Sequence, residues 1–203
     1  MALVLADKST TSFQPAPEGS HPAICYRIVD IGTQASTFDG ETRQVHQVVI
    51  SWQLTGEDRQ SNGEPFTMTK WYTASFHPKS KLRIDLEAIR GRKFTPEELS
   101  GFDLERVVGS SCLMGIVHDI KADGNVKAKI SSLMKLPKGM ETGALELPKV
   151  FFDLDRFDDT VFENLPPWLQ SRIVVSPEWG RLGTGLAKTD GGISQMDDDL
   201  PEF

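Results

Sequence analysis

Residues 45–54 read VHQVVISWQL, and their apolar side chains recur at every second position. In an extended chain, alternate side chains point to opposite faces, so this period is typical of a β-strand with one buried face. Val48, Ile50 and Trp52 share the apolar face. The run therefore predicts a strand at the centre of a sheet, and Trp52 is predicted to lie in the core.

Four other segments have the composition of β-strands. They are rich in β-branched and aromatic residues or alternate between apolar and polar side chains. These segments are residues 21–31, 66–76, 110–119 and 125–134. The pair Asp123-Gly124 predicts a tight hairpin turn before the last one. Together with residues 45–54 they give five predicted strands.

The period changes to that of a helix between the third and the fourth predicted strand. Residues 80–91 have apolar side chains at helical spacing, with a capping serine at the start and a glycine at the end. Residues 95–98, Thr-Pro-Glu-Glu, form a capping box that predicts a second short helix. Five strands with a helical insert between the third and fourth are typical of an oligonucleotide/oligosaccharide-binding (OB) barrel. The predicted fold class is mainly β, a five-stranded OB-like barrel.

The other segments flank this barrel. Residues 1–18 are expected to form a loose N-terminal segment, and residues 19–137 the OB-fold nucleic-acid-binding domain. Residues 138–179 contain aromatic side chains and a short helix candidate after two prolines, and predict a C-terminal arm packed on the barrel. Residues 180–203 are rich in Gly, Thr, Asp and Ser and predict a disordered acidic tail.

The net charge of −7 is distributed unevenly along the chain. Residues 1–63 carry −3, residues 64–138 carry +4 and residues 139–203 carry −8. A basic middle segment predicts a polyanionic partner in spite of the acidic total. The sequence contains no run of about 18 apolar residues, so no membrane span is predicted. Two cysteines are too few for a disulfide framework, and a cytoplasmic location is expected.

Basic side chains lie beside aromatic ones in the middle segment. Cations neutralise phosphates and flat rings stack on unpaired bases, so this mixture is typical of proteins that bind single strands. Trp71 falls on the Thr/Ser side of its predicted strand, where it is either exposed for stacking or covered by the C-terminal arm. For the cations alone, a solvated basic face is the simpler interpretation. The residues predicted to bind nucleic acid are Lys70, Trp71, Lys79, Lys81, Arg83, Arg92, Lys93, Lys127 and Lys129.

The end of the chain combines carboxylates with a terminal aromatic ring. Its last residues are Asp197, Asp198, Asp199, Leu200, Pro201, Glu202 and Phe203. This end resembles the acidic tip of bacterial and phage single-stranded DNA-binding proteins, a run of aspartates followed by Ile-Pro-Phe. Leu200 stands in place of the isoleucine, and Glu202 is inserted before Phe203. The body resembles phage OB-fold proteins that open with Glu-Gly and end with a Leu-Pro-x-Trp arm, here Glu18-Gly19 and residues 165–168.

The resemblance implies a phage-type protein that binds single-stranded DNA non-specifically in DNA replication and recombination. The barrel would bind the strand, and the tail would recruit replication or recombination proteins. The tail residues implied in this recruitment are Asp197, Asp198, Asp199, Leu200, Pro201 and Phe203. The resemblance also implies a homo-oligomer in the host cytoplasm, with no catalytic residues and no cofactor. Whether DNA or RNA is preferred stays open at this point.

Two other functions are compatible with the sequence. A Mg²⁺-dependent nuclease could use the carboxylates of residues 153–159, although no lysine motif accompanies them and solvated charge explains them more simply. A protein–protein adaptor would use the same fold without binding nucleic acid. The four histidines lack the spacing of metal ligands, so no metal site is expected.

Overall fold

The computed structural model describes residues 14–38, 40–122 and 124–186 of the 203-residue chain. Its centre is a mainly antiparallel sheet of six strands. The strands are β1 (Gly19–Phe38), β2 (Glu41–Leu54), β3 (Thr67–Thr73), β4 (Ser111–Ile120), β5 (Val126–Met134) and β6 (Val150–Phe152). The helices are α1 (Lys81–Arg90), α2 (Pro96–Ser100), α3 (Asp159–Glu163), α4 (Pro167–Val174) and α5 (Pro177–Leu186), with 3₁₀ turns at Leu104–Val107 and Leu154–Arg156.

The strands lie in the order β3-β2-β1-β4-β5, and β6 pairs in parallel with β1. The five predicted strands and the helical insert between β3 and β4 are confirmed. β3 and β5 stand at the two ends of this order, and no hydrogen-bonded ladder joins them among the described residues. The sheet is therefore open between β3 and β5, and the predicted closure into a barrel is not confirmed.

The first apolar core lies on the inner face of the sheet. Val48, Ile50 and Trp52 of β2 point into it, and Trp52 is only 1% exposed, which confirms its predicted position. α1 covers this core with its three apolar residues at helical spacing. The helix has the predicted ends: Ser80 is the N-cap, and Gly91 adopts the left-handed conformation at φ 66°.

A second apolar core lies on the opposite, outer face of the sheet, where the C-terminal arm packs. Val29 and Val49 of the sheet contact side chains of the arm such as Leu169 and Ile173. The backbone of β6 pairs with β1 in the same region. The arm therefore covers the outer face of β1 and β2 and leaves β3 at the margin of the covered area.

α5 continues to Leu186, so the prediction of disorder from Gly180 onward is wrong for residues 180–186. The physical reason is that Trp179 and Leu182 pack against the second core and give this helix a buried side. The predicted tail residues 187–203 and the N-terminal residues 1–13 lie outside the described residues. No helix among the residues described has the length and apolar character needed to cross a bilayer.

Candidate nucleic-acid interface

Trp71 on β3 lies at the boundary between the arm and the open surface. The ring centroids of Trp71 and of Trp168, from α4, are 5.8 Å apart with the planes tilted by 40°. The guanidinium carbon of Arg172 is 5.7 Å from the centroid of the Trp71 ring. Trp71 nevertheless stays 41% exposed. Both interpretations drawn from the sequence therefore hold in part, because the arm contacts this ring without covering it.

A row of polar side chains next to Trp71 connects three strands on the outer face. The Thr69 and Ser51 hydroxyl oxygens are 2.9 Å apart, and Arg27 donates to the Ser51 hydroxyl at 3.4 Å. The Arg27 guanidinium carbon also lies 6.0 Å from the centroid of the Trp168 ring. Burial lowers the pKa of Arg27 from its ordinary value. Arg27 therefore belongs to the packing between sheet and arm and supports Trp168.

Two surface depressions meet at Trp71. One of them, about 290 Å³ in volume, lies between β3 and β5, and its walls include Lys70, Lys127 and Lys129. The other, about 440 Å³ in volume, lies beside the start of α1, and its walls include Lys79 and Lys81. Because Trp71 lines both depressions, lysines flank its exposed ring on two sides.

These lysines differ in how far their charge is already neutralised. The Lys70 ammonium donates to Asp85 Oδ2 at 2.6 Å, and the same oxygen accepts a hydrogen bond from Tyr72 at 2.9 Å. Lys129 is paired with Asp119. Lys79, Lys81 and Lys127 are exposed, and none of the three has an ion pair within the part of the chain that the structure describes. These three cations are therefore available to an anionic ligand beside Trp71.

Arg83, Arg92 and Lys93 line neither depression at Trp71. Arg83 lies beside the one at the start of α1, because its Nη1 donates to the Phe76 carbonyl oxygen at 3.1 Å. The Arg83 guanidinium pairs with Glu87 at 3.0 Å. Arg92 pairs with Glu98 at 2.7 Å. Arg92 and Lys93 follow the C-terminal end of α1, whose ten residues span about 15 Å at about 1.5 Å each. They lie at the far end of this helix from Lys81, and Arg92 lines a different cleft.

Trp168 and Arg172 are the residues that the sequence did not assign to the site. They are four positions apart on α4, which places them on the same side of the helix. That spacing is visible in the sequence, but their contact with Trp71 depends on how α4 docks on the outer face of the sheet. Trp168 is 42% exposed, so the two tryptophans form one partly exposed aromatic pair.

Two of the carboxylates within residues 153–159, Asp153 and Asp158, have local structural roles. Asp153 accepts hydrogen bonds from the backbone N–H of Asp155 and from the Arg156 side chain, both at 3.0 Å. Asp158 caps α3 and accepts from the backbone N–H of Val161 at 3.1 Å. No group of three or more His, Cys, Asp or Glu side chains in the described segments could hold a metal ion. These contacts account for Asp153 and Asp158 as capping groups.

A histidine links the sheet to α5. His46 Nε2 lies 2.7 Å from Asp30 Oδ1, and its other ring nitrogen lies 4.0 Å from the Glu178 carboxylate. The hydrogen bond to Asp30 raises the pKa of His46, and the nearby carboxylates add to this effect. Glu178 also accepts hydrogen bonds from the Thr33 backbone N–H and hydroxyl, at 2.8 and 2.7 Å. These contacts fix the start of α5 on β1.

The two cysteine thiols are buried in the first core. Burial raises the pKa of Cys112 to about 12, and burial beside Cys112 raises the pKa of Cys25 further. Both therefore remain protonated at neutral pH, and a protonated thiol is a poor nucleophile.

No known family model matches the chain, and no curated protein matches it.

Proposed function

We propose that this protein binds single-stranded DNA without sequence preference and acts in phage DNA replication and recombination. The observation that carries the proposal is the exposed ring of Trp71, with lysines in the depressions on both sides of it that have no ion pair among the described residues. Stacking on a ring tolerates any base, and lysines contact the phosphates that every nucleotide carries. Such a surface binds strands whose bases are unpaired.

The strand order supports an OB-like arrangement. The helical insert lies between β3 and β4, and β3 and β5 end up on the two sides of one depression. Pairing between β3 and β5 would close the sheet into a barrel. OB folds bind oligonucleotides on the face of strands 2 and 3 and at the loops between strands 1 and 2 and between strands 4 and 5. In this proposal the strand crosses the outer surface at β3 and continues past the neighbouring β5.

The experiment that tests this function is a salt titration with three ligands: oligo-dT, oligo-rU and a duplex of the same length. Affinity for oligo-dT should fall with salt, with a slope of about −0.7 in log K against log salt for each phosphate contacted. Oligo-dT should bind more tightly than the duplex, because paired bases cannot stack on Trp71. Equal affinity for the duplex would contradict the proposed stacking. An absence of binding to all three ligands would leave an adaptor function instead.

The acidic end is the second part of the proposal. It lies outside the described residues, so its role in recruiting replication or recombination proteins rests on its sequence and its resemblance to acidic tips. A tethered polyanion also competes with DNA for the basic surface. Deleting residues 197–203 should therefore tighten DNA binding at low salt, and the gain should shrink as salt rises. Weaker binding of the truncated protein at low salt would show that the tail supports the fold or the oligomer.

The proposed setting is the host cytoplasm, and the protein is proposed to act as a homo-oligomer. The oligomeric state is measured by sedimentation at several protein concentrations. A monomer at all concentrations would contradict this part of the proposal.

A further inference from the structure

A second cationic cleft lies at the C-terminal end of α1, away from Trp71. Its volume is about 610 Å³. Apolar side chains, among them Leu86 and Phe102, form part of its walls. The charged residues that line it are Arg90, Arg92, Glu98, Arg106 and Lys135. Four cations and one carboxylate therefore surround this space.

Glu98 neutralises only part of this charge. Its carboxylate pairs with Arg90, and with Arg92 at 2.7 Å. Hydrogen bonds from Arg92, from the Thr95 backbone and from Arg90 lower the pKa of Glu98 to about 2, so this group is ionised at neutral pH. The cleft therefore keeps a net charge of +3 when the one carboxylate is set against the four cations.

Some of the donors in the cleft are unused. Neither Arg106 nor Lys135 has an ion pair among the described residues. Nη1 of Arg90 is buried and has no hydrogen-bond partner in the structure. The Arg90 guanidinium packs against aromatic rings, with its carbon 4.2 Å from the Phe94 ring centroid and 5.3 Å from that of Phe102. The charges of Arg106 and Lys135 are therefore the ones that the cleft offers to an anionic ligand.

β5 connects this cleft to the surface at Trp71. Lys127 and Lys129 lie near the start of the strand, and Lys135 follows its last residue. The eight steps from Lys127 to Lys135 span about 26 Å at about 3.3 Å per residue. Lys135 packs over the end of α1, where a Cβ added to Gly91 would come within 2.6 Å of its side chain. Cations therefore stand at both ends of β5.

We propose that this cleft binds phosphates of the same single strand that stacks on Trp71, so that the binding path extends along β5 to the C-terminal end of α1. This inference rests on the proposed function, because the ligand is the same strand. It adds Arg106 and Lys135 as strand-binding residues. It also includes Arg92, which the sequence predicted to bind nucleic acid but which lies away from Trp71 and lines this cleft. The path requires a ligand long enough to reach both ends of β5.

The test compares two oligo-dT lengths, about 6 and about 16 nucleotides, which lie near the limits of site sizes for one OB fold. The variant combines Arg106→Gln with Lys135→Gln. The matched control combines Arg43→Gln with Lys138→Gln. This control removes two exposed cations that line neither the cleft nor the depression between β3 and β5. The cleft variant should lose affinity only for the long oligonucleotide. Its salt slope on that ligand should shrink by about 1.4, which is about 0.7 for each lost contact. Thermal unfolding confirms that the variants are folded.

The outcomes separate this inference from the function on which it rests. An unchanged salt slope on the long oligonucleotide, or an equal loss on both lengths, overturns the extended path. Displacement of the long oligonucleotide by thymidine monophosphate at comparable concentration would overturn it in favour of a free-nucleotide site. If Trp71→Ala binds the short oligonucleotide as the wild type does while the cleft variant is impaired on the long one, the cleft stands and the stacking site fails.

Discussion

Replacing Trp71 by alanine removes the ring on which the proposed stacking depends. One base stacked on an aromatic side chain contributes about 1–3 kcal/mol, which corresponds to about a 5-fold to 160-fold change in Kd. The ring is 41% exposed, so it offers part of its surface to a base without any movement of the arm. Since an indole carries no charge, Trp71→Ala should lower the affinity at every salt concentration and leave the salt slope unchanged.

The assay is fluorescence anisotropy of a labelled oligo-dT over a range of salt concentrations. Trp71→Phe keeps a flat ring and should lose less affinity than Trp71→Ala. Met140→Ala is the control for surface truncation, because Met140 is 42% exposed and lines neither depression at Trp71. Trp168→Ala alone and combined with Trp71→Ala completes a double-mutant cycle, which should show coupling because the two rings are in contact.

Wild-type affinity of a folded Trp71→Ala protein at all salt concentrations would refute the reasoning. So would a large decrease in the salt slope, since that would mean that the substitution displaced phosphate contacts. Thermal unfolding separates these outcomes from loss of folding. The fold itself should lose more than about 0.5–1.5 kcal/mol, because that is the contribution of one aromatic pair beyond its buried area and the buried part of the ring adds to it.

Three further predictions concern charge, pH and backbone strain. Lys127→Gln should reduce the salt slope of oligo-dT binding by about 0.7, and Lys129→Gln by less because its charge is already paired; equal effects would contradict this difference. His46 should titrate above its ordinary pKa of about 6.5, and Asp30→Asn should lower that pKa, as measured by NMR. The folded state favours protonated His46, so this residue contributes fully to the free energy of unfolding below about pH 6.5. That contribution is lost as pH rises through the raised pKa of His46. A melting temperature that rises over that pH range would contradict the prediction. Gly32→Ala should destabilise the fold by about 1–3 kcal/mol, because Gly32 has φ 69° and an added Cβ would lie 2.7 Å from the Ser176 side chain. Thermal unfolding measures this loss, and an unchanged melting temperature would contradict the prediction.

The sequence predicted those helices and strands that are determined by residues close together in the chain. The C-terminal end of α1 follows from Gly91, because capping depends on residues within one turn of the helix. Ser80 occupies the predicted N-cap position, but its hydroxyl makes no capping hydrogen bond. β6 was not predicted, since three residues are too few to show a period. β1 extends to Phe38, past the predicted end at residue 31, because its polar second half pairs with the start of β2 through the backbone. Pairing of this kind leaves no hydrophobic pattern in the sequence.

The candidate site could be predicted only in part. The alternation of residues 66–76 placed Trp71 on the face away from the first core, and the structure has it there. The lysine charges could not be judged from the sequence. Lys70 is held by Asp85 on α1, and Lys129 by Asp119 on the neighbouring strand. Both partners are set by packing and pairing between elements.

The contact between the arm and Trp71 would make the proposed binding tighter than binding to an isolated exposed tryptophan. A free side chain on a strand loses rotamer freedom when a ligand orders it, and this loss weakens binding. Trp168 and Arg172 already lie within 6 Å of the Trp71 ring, so the ring is ordered before any strand arrives. Fuller coverage by the arm would remove the area available to a base, whereas no coverage would leave the ring mobile. α4 lies between these limits, since it contacts the Trp71 ring and leaves it 41% exposed, and the buried residues Leu169 and Ile173 hold it there through the second core. Packing on the outer face of the sheet therefore sets the geometry of the proposed binding surface.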